Sequence, residues 1–578
     1  MVFKKIDDIL KEVGLDEADR RVAQAEQRLG DAERQILDLK GHLADKDQQI
    51  ERLRYFESQV RTDRPQWLKQ AFENNKALWT QTLDRSIVAD SIYIDDPIYK
   101  QVVIEKDIAP IFYHPIVQRL AHIKQLSFSH LTFPAATHSR LSHSLGASKN
   151  AEHAIRRIFD KGVLYTREGK KPLGLPDDKR QQFIMKAKVA GLLHDLGHGP
   201  FGHGLDQYIS ARTNERSPDK FYGVDFINEY LSTTIDSCGV DPNGIKVKDI
   251  LPILDSKQRS ELEGFDVLIS NLIDSPLDVD RMDYLVRDAH MTGLSIGAVN
   301  IQALIERMMP FEGPITNANG QTTDQVLLTF DESAIPYITH VLYARDSMYL
   351  NCYEHPRKVL AERMLTKAVD DFLQKNTFIA LPDLILLTDE ELLKVLIEFS
   401  EPGDIAHHYA SALFSDPPFD EVFSIAPGKY AAYLEKKKTR EDKGLAAPEE
   451  EEVPPQPSEQ IPAWENLSLR LMERNLNRPR DWETKLAADA ELGEDSWKVL
   501  ITIPAKMVAP KFDDIKILER TNGGYRYSKL DRLTGYWESV LKHIGIERYS
   551  IRVFASQDLP KDKLDRIYQS AKELFTVD

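Results

Sequence analysis

The stretch Lys188-Val-Ala-Gly-Leu-Leu-His194-Asp195-Leu-Gly-His198-Gly-Pro-Phe-Gly-His203 decides how this chain is read. It sets an adjacent His-Asp pair beside two further histidines. Imidazole and carboxylate together suit a divalent transition metal, or a mixed site that also takes Mg or Mn. Such a metal lowers the pKa of bound water and makes hydroxide available at neutral pH. A lone His-Asp pair more often marks a helix C-terminus beside a capping Asp. The surroundings argue otherwise here. Ala187 to Leu193 reads as a buried helical run, which Gly197, Gly199 and Pro200 then break. The pair lies where a buried helix opens into a tight, Gly-rich turn. That position exposes ligands while the helix holds them rigid.

Two other segments complete a metal set. Upstream is Phe133-Pro-Ala-Ala-Thr-His138-Ser-Arg140-Leu-Ser-His143-Ser-Leu-Gly146, and downstream is Leu277-Asp278-Val-Asp280-Arg281-Met-Asp283-Tyr284-Leu-Val-Arg287-Asp288. His143, His194, Asp195 and Asp280 supply two imidazoles and two carboxylates from three segments, each expected to be helical. Such a set holds a metal and leaves positions open for water and substrate. His138, His153, His290 and His355 read as structural or supporting residues rather than ligands. Asp278 and Asp283 read as a helix cap or ion-pair partner, and Arg287 as a brace for an acidic neighbour.

The order H…HD…D resembles the signature of the HD-domain phosphohydrolases. The strings FPAATHSRLSHSLG, AGLLHDLGHGPFGH and LDVDRMDYLVRDAH resemble one branch of them. That branch is the deoxynucleoside triphosphate triphosphohydrolases, which include bacterial dGTPases and the vertebrate SAM-and-HD-domain restriction factor. The resemblance runs from about Ile98 to Asp370, close to half the chain.

The resemblance implies a role for each matching residue. His143, His194, Asp195 and Asp280 would hold a divalent metal: Mg, Mn or Fe. His198 and His203 would face the triphosphate, as acid or as donors to phosphate oxygens, and Asp206 matches an Asp that orients a catalytic His. Arg140 and Arg281 would neutralise phosphate charge, although relatives often carry Lys at the second position. Tyr284 and Asp288 would contact the sugar, with Gln125 and Leu126 along the sugar and base. Arg345 would meet phosphate and Tyr353 the sugar or base. Glu354 stands where relatives carry Gln, which leaves base preference open.

The implied reaction is in-line attack by metal-bound hydroxide on the α-phosphorus. Its products are a deoxynucleoside and tripolyphosphate, with a dGTP-like substrate first among the dNTPs. The resemblance also implies an allosteric, oligomeric enzyme with a nucleotide activator, and a role in nucleotide depletion during phage infection. One departure stands out. The family carries a further His on the helix after HDLGHGPFSH, which protonates the leaving 5′-oxygen. No His occurs here between His203 and His290. In Pro218-Asp-Lys220-Phe-Tyr222-Gly-Val-Asp225, Lys220 or Tyr222 would substitute as donor. Otherwise His198 serves alone, or catalysis is weak or waits on a partner.

Composition frames these motifs. With 578 residues the chain is long enough for several domains. Its net charge of −17 argues against a general electrostatic grip on nucleic acid. Cys238 and Cys352 show neither metal spacing nor a disulfide framework, which fits a reducing cytoplasm. No apolar run approaches the ~20 residues of a membrane span, and the first residues do not read as a signal peptide.

The expected architecture is mainly α: an HD-domain helical metallohydrolase core with an N-terminal coiled coil and a small C-terminal α/β lobe. Residues 1–60 carry apolar positions in steps of three and four, from Val22 to Leu53, interrupted by Lys46. That pattern predicts a coiled coil that ties two chains together or recruits a protein partner. The HD core with a helical extension spans 61–435, and an acidic, Pro-rich linker spans 436–463. The lobe over 464–578 is expected to help oligomerise or regulate. Within it Trp497–Pro504 and Ser550–Ala555 read as strands, and Leu559–Phe575 as a closing helix. Two rival functions remain at this level: a sensor or scaffold that binds dNTPs without cleaving them, and an HD-type nuclease or phosphodiesterase.

Overall fold

The computed structural model describes residues 91–213, 217–238, 244–296, 299–316, 322–377, 379–414, 417–425, 478–502, 514–530 and 551–576. The expected coiled coil over 1–60 and linker over 436–463 lie outside the described residues.

The core is a set of packed helices. A hairpin, β1 (Ile92–Asp96) and β2 (Lys100–Ile104), leads into short helical turns and then α1 (Arg140–Lys161). Strands β3 (Val163–Thr166) and β4 (Gly169–Pro172) precede α2 (Asp177–Leu193) and α3 (His203–Thr213). There follow α4 (Pro218–Phe226), α5 (Val247–Leu254), α6 (Phe265–Ile273) and α7 (Val279–Thr292). Strands β5 (Met308–Thr316) and β6 (Thr322–Asp331) lead to α8 (Ile335–Met348), α9 (Pro356–Lys375), α10 (Asp389–Glu398) and α11 (Ile405–Leu413).

Local chemistry sets the ends of the helices that carry the motifs. Ser139 caps α1 by accepting from Ser142 N–H, and Gly162 ends it in the left-handed conformation, φ 66°. Asp278 caps α7 by accepting from Arg281 N–H, and Gly293 ends it at φ 73°. The apolar faces then meet. Ile155 and Ile158 of α1, Ala187 and Ala190 of α2, Leu268 and Leu272 of α6, and Met282 and Leu285 of α7 share one buried cluster. Each large aliphatic side chain buried there contributes about 1.5–3 kcal/mol. Gly146 lets α1 and α7 cross closely, because a Cβ there would lie 1.8 Å from Asp283 Oδ1.

The sheets cross the boundary that the sequence suggested. Strands β9 (Lys516–Arg520) and β10 (Tyr525–Lys529) belong by position to the C-terminal part. They join a six-stranded sheet of order β10-β9-β6-β5-β3-β4, with β9 parallel to β6 of the core. The two hairpin ends approach each other: Tyr165 and Tyr525 rings lie 4.9 Å apart, edge to face. Conversely β7 (Phe419–Ile425), placed with the core by position, pairs with β11 (Ile551–Ser556). With β8 (Val499–Thr502) these form a three-stranded antiparallel sheet. Helices α12 (Arg478–Asp489) and α13 (Lys561–Thr576) contribute Leu486, Ile567 and Ala571 to its apolar cluster. Both strands and the closing helix expected of this lobe are therefore present among the described residues. Among the described residues no helix is long and apolar enough to cross a membrane.

Glu483 of α12 fastens this lobe to α9. It is 3% exposed and meets Arg363 Nη2 at 3.1 Å and Lys367 Nζ at 2.9 Å, and accepts from Ile501 N–H at 2.9 Å. Burial alone would raise its pKa, but Arg363, Lys367 and the Ile501 amide outweigh it and hold the carboxyl below its usual value. A folded-state pKa below the unfolded one, about 4.3, gives stability that is present above that value and lost as pH falls through the folded one. Glu483→Gln should therefore lower stability by on the order of 3 kcal/mol at pH 7. The gap to wild type should shrink in acid. Denaturant titrations at neutral and acid pH check this, and a pH-independent gap would refute it.

Candidate metal centre and adjoining cleft

Three helices deliver the four expected ligands to one place. His143 lies in the first turns of α1, His194 caps the end of α2 with Asp195 beside it, and Asp280 is in the first turn of α7. His143 Nε2 is 3.2 Å from His194 Nε2, 3.0 Å from Asp280 Oδ1 and 3.7 Å from Asp195 Oδ2. His194 Nε2 is 3.4 Å from Asp195 Oδ1 and 3.6 Å from Asp280 Oδ1.

The partners of the two rings show that this donor set fits a cation. His194 Nδ1 donates to the Gly191 carbonyl at 2.9 Å, and a carbonyl can only accept. His143 Nδ1 donates to Asp283 Oδ2 at 2.8 Å. Each ring, when neutral, therefore turns an Nε2 lone pair toward the same point, where two carboxylates also face. A divalent metal satisfies all four groups. Protons do so in its place only against burial. Burial disfavours charged His143, yet hydrogen bonds to Asp280 and Asp283 raise it to about 10. His194 is raised too, against burial, by Asp195 and Asp280. Burial would raise Asp195 and Asp280, but the neighbouring imidazoles hold both well below the usual carboxylate range. Metal binding must displace those imidazole protons.

Asp283 is the anchor behind the centre. It is fully buried and takes Arg287 Nε and Nη2, both at 2.9 Å, as well as His143. Arg287 also reaches Asp96 of β1 at 2.8 Å. Arg140 braces the other side: it is buried and its Nη1 meets Asp195 Oδ2 at 2.7 Å.

The Gly-rich turn is held from outside the motif. Buried Arg119 donates to the carbonyls of Leu196 at 3.1 Å and His198 at 2.7 Å, and to those of Ile385 at 2.9 Å and Leu387 at 3.3 Å. Asp389 accepts from Phe201 N–H at 2.6 Å, which secures Phe201 at φ 57°. Phe201 stacks on Phe128 at 4.3 Å. So held, the turn groups His198, His203 and Asp206, whose ligand atoms lie within 4.8 Å of one another. His203 Nδ1 meets Asp206 Oδ2 at 2.6 Å, and its side chain is 72% exposed. His198 is buried, 3.5 Å from Asp195 Oδ1 through Nε2, and its Nδ1 has no hydrogen-bond partner.

A third group gathers Tyr284, Asp288 and Tyr353. Asp288 meets His138 Nε2 at 2.8 Å and accepts from Tyr353 O–H at 2.7 Å. The Tyr284 and Tyr353 rings lie 6.3 Å apart, and Tyr284 is 6.4 Å from the His143 ring. Gln125 N–H donates to the His138 carbonyl at 2.9 Å, Gln125 Oε1 is buried without a partner, and Leu126 is buried. Arg345 lies over the Tyr349 ring, which packs against Tyr353 at 5.0 Å. Glu354 follows directly, its N–H donating to the Tyr349 carbonyl at 3.1 Å. The Arg281 guanidinium meets Asp278 and donates to the Ser275 carbonyl at 2.6 Å. Tyr222 is buried.

A cleft of about 530 Å³, counting the part open to solvent, adjoins the centre. His194, Asp195 and Asp280 form one wall, and Asp219 and Lys220 of α4 another. Gly197 permits this, since a Cβ there would lie 1.9 Å from the Asp219 carbonyl and 2.2 Å from Gly223 N.

This arrangement agrees with comparison to known proteins. The HD-domain family profile matches residues 140–287, which span His143, His194, Asp195 and Asp280. An uncharacterized protein of Mycoplasma genitalium is 31% identical over 42% of this chain and 51% of its own length. The Dictyostelium discoideum protein named as a homologue of deoxynucleoside triphosphate triphosphohydrolase SAMHD1 is 28% identical over 49% of this chain and 51% of its own. Human SAMHD1, named a deoxynucleoside triphosphate triphosphohydrolase, is 28% identical over 49% and 45%. The chain spans about half the length of the curated relatives it matches. A crystal structure of a hypothetical protein from Aquifex aeolicus superposes with a TM-score of 0.51 at 20% identity, over 83% of this chain and 100% of that one. With these candidate ligands assembled on three helices, the chain carries an HD-domain match over residues 140–287 and resembles, over about half its length, proteins named as deoxynucleoside triphosphate triphosphohydrolases.

Proposed function

We propose that the protein hydrolyses deoxynucleoside triphosphates to deoxynucleoside and tripolyphosphate, with a dGTP-like substrate first. The observation that carries this reading is the convergence of His143, His194, Asp195 and Asp280 beside an open cleft. A bound divalent metal would activate water and offset phosphate charge there. The oxygen of water joins the α-phosphorus as its bond to the 5′-oxygen breaks, and one proton of water ends on that 5′-oxygen.

The chain's own residues support the remaining steps. Arg140 fixes Asp195 and brings positive charge close to the phosphates. His203, oriented by Asp206 and exposed, offers a donor to phosphate oxygens, and buried His198 stands between Asp195 and Asp206. Tyr284, Asp288 and Tyr353 offer an aromatic wall and a carboxylate to a deoxyribose. The partnerless Gln125 Oε1 and His138 Nδ1 offer polar atoms nearby. A nucleotide activator and self-association through the coiled coil and the C-terminal lobe belong to the same proposal.

The test is incubation with each dNTP, alone and mixed, with Mg or Mn, and chromatography of the products. Deoxynucleoside with intact tripolyphosphate is the expected result, and activity confined to the mixture would reveal an activator. Bound dNTP without product would replace this reading with that of a sensor. Degraded single-stranded DNA with untouched dNTPs would make the protein a nuclease.

A further inference from the structure

The cleft beside the metal centre has an unusual charge pattern. Asp195, Asp219, Asp274 and Asp280 all line it. Lys220 is the one Lys or Arg that does so among the described residues. An entering phosphate therefore faces four carboxylates, and a divalent metal offsets only part of their charge. A second source of positive charge has to lie within reach.

Lys220, on the lining, and Arg259 beside it supply that source. Lys220 Nζ pairs with Asp274 Oδ2, and Arg259 Nη2 pairs with the same oxygen. Two cations thus share the Asp274 carboxylate. Arg259 Nε is in addition buried without a hydrogen-bond partner. All three side chains are about one third exposed, at 34%, 32% and 31% for Lys220, Asp274 and Arg259. Lys220 can therefore leave Asp274 for an incoming anion without stranding that carboxylate, because Arg259 remains on it. Apolar Val224, Leu254 and Ile273 also line the cleft, and a contact from the Lys220 ammonium to a phosphate there would be charge-assisted.

We propose that Lys220 is a phosphate-binding residue of this cleft, and that Asp274 is a built-in counter-anion which the substrate's phosphate displaces from it. The inference rests on the reading of the protein as a nucleoside triphosphate hydrolase, and it names a residue that recognises the substrate. Of the two residues that the sequence offered in this segment as a proton donor, Lys220 lines the cleft and Tyr222 is buried.

The experiment is titration of inorganic tripolyphosphate into Mn-loaded, full-length protein by calorimetry, for wild type, Lys220→Gln, Lys220→Arg and Asp274→Asn. Lys220→Gln should weaken binding by about tenfold or more, the loss of one hydrogen bond from a charged donor. Lys220→Arg should stay within about threefold of wild type, since it keeps the charge on a reach of similar length. Asp274→Asn should tighten binding, because the competing anion is gone. Wild-type affinity in Lys220→Gln, or weaker binding in a stably folded Asp274→Asn, would overturn the proposal. Should Lys220→Gln fail to fold, Asp274→Asn decides alone, since it leaves Lys220 in place. Failure of the functional reading looks different: wild type would then cleave no dNTP, while tripolyphosphate affinity still depended on Lys220. Cleavage of dNTPs by Lys220→Gln with unchanged kcat/KM would keep the reading and discard Lys220.

Discussion

Asp195→Asn is expected to strip divalent metal from the purified protein and to lower dNTP hydrolysis by on the order of 10⁴-fold, as removal of a central catalytic group does elsewhere. The substitution keeps the side-chain volume, so the loss is chemical. Asp195 faces His143 at 3.7 Å and His194 at 3.4 Å, and it balances the buried Arg140 guanidinium at 2.7 Å. A neutral amide is a poor metal ligand and leaves Arg140 without its counter-charge. The protein should also lose the stability that metal confers, about 2.7 kcal/mol at a free metal concentration of one hundred times Kd. Metal content by elemental analysis, product chromatography and thermal melts with and without added Mn measure the three effects. His290→Ala, an exposed change at the far end of the same α7 helix, is the control and should alter none of them. Full metal occupancy in Asp195→Asn would show that the ion does not use this carboxylate.

The four candidate ligands could be singled out because each came with its local context. A buried helical run ends at Leu193, a Ser cap precedes the helix of His143, and an Asp cap precedes Asp280. Such local signals survive into the fold, and the order of the three motifs matched a family pattern. What holds the ligands was not legible. Arg119 reaches the turn's carbonyls from 77 and 79 residues away and ties them to a carbonyl 268 residues away, and Asp389 secures Phe201 from 188 residues away. No periodicity or spacing encodes such a pairing. An Arg within the stretch Pro115-Ile-Val-Gln-Arg119-Leu was a sign that a buried cation needed acceptors, but it named none of them.

The six-stranded sheet escaped for a related reason. Gly169-Lys-Lys-Pro172 and Tyr525-Arg-Tyr-Ser-Lys529 are short, polar edge strands that read as loops. Their strand character comes from the partner each finds across the chain. For the same reason β7 and the β9–β10 hairpin exchanged places relative to the expected division at 435 and 464. Arg281, matched to a phosphate-binding position, pairs with its own N-cap, Asp278, a contact that the motif did not announce.

Asp283→Asn should be the most destabilising conservative change in the core, by about 3–5 kcal/mol, because it breaks a buried ion pair and leaves the partner charge unpaired. Asp283 has no exposed surface, and Arg287, its bidentate partner, is 1% exposed. Asparagine presents an NH₂ group where one oxygen accepted, so a donor would face either Arg287 or His143 Nδ1. No water can take up the difference without space, and Gly146 of α1 is already packed against the carboxylate. The second consequence falls on the metal. His143 Nδ1 loses an anionic acceptor that orients its ring and makes Nε2 a better donor, a change that costs about 10–100-fold in metal affinity. These two effects can be separated. Arg287→Met removes the cation but leaves the His143–Asp283 bond, and it should destabilise the fold with a smaller fall in metal affinity. Denaturant titration gives the first quantity and Mn calorimetry below the melting temperature gives the second. Equal losses of metal affinity in Asp283→Asn and Arg287→Met would mean that the network acts only by holding α1 against α7. A larger loss in Asp283→Asn would mean that it also tunes the histidine as a ligand.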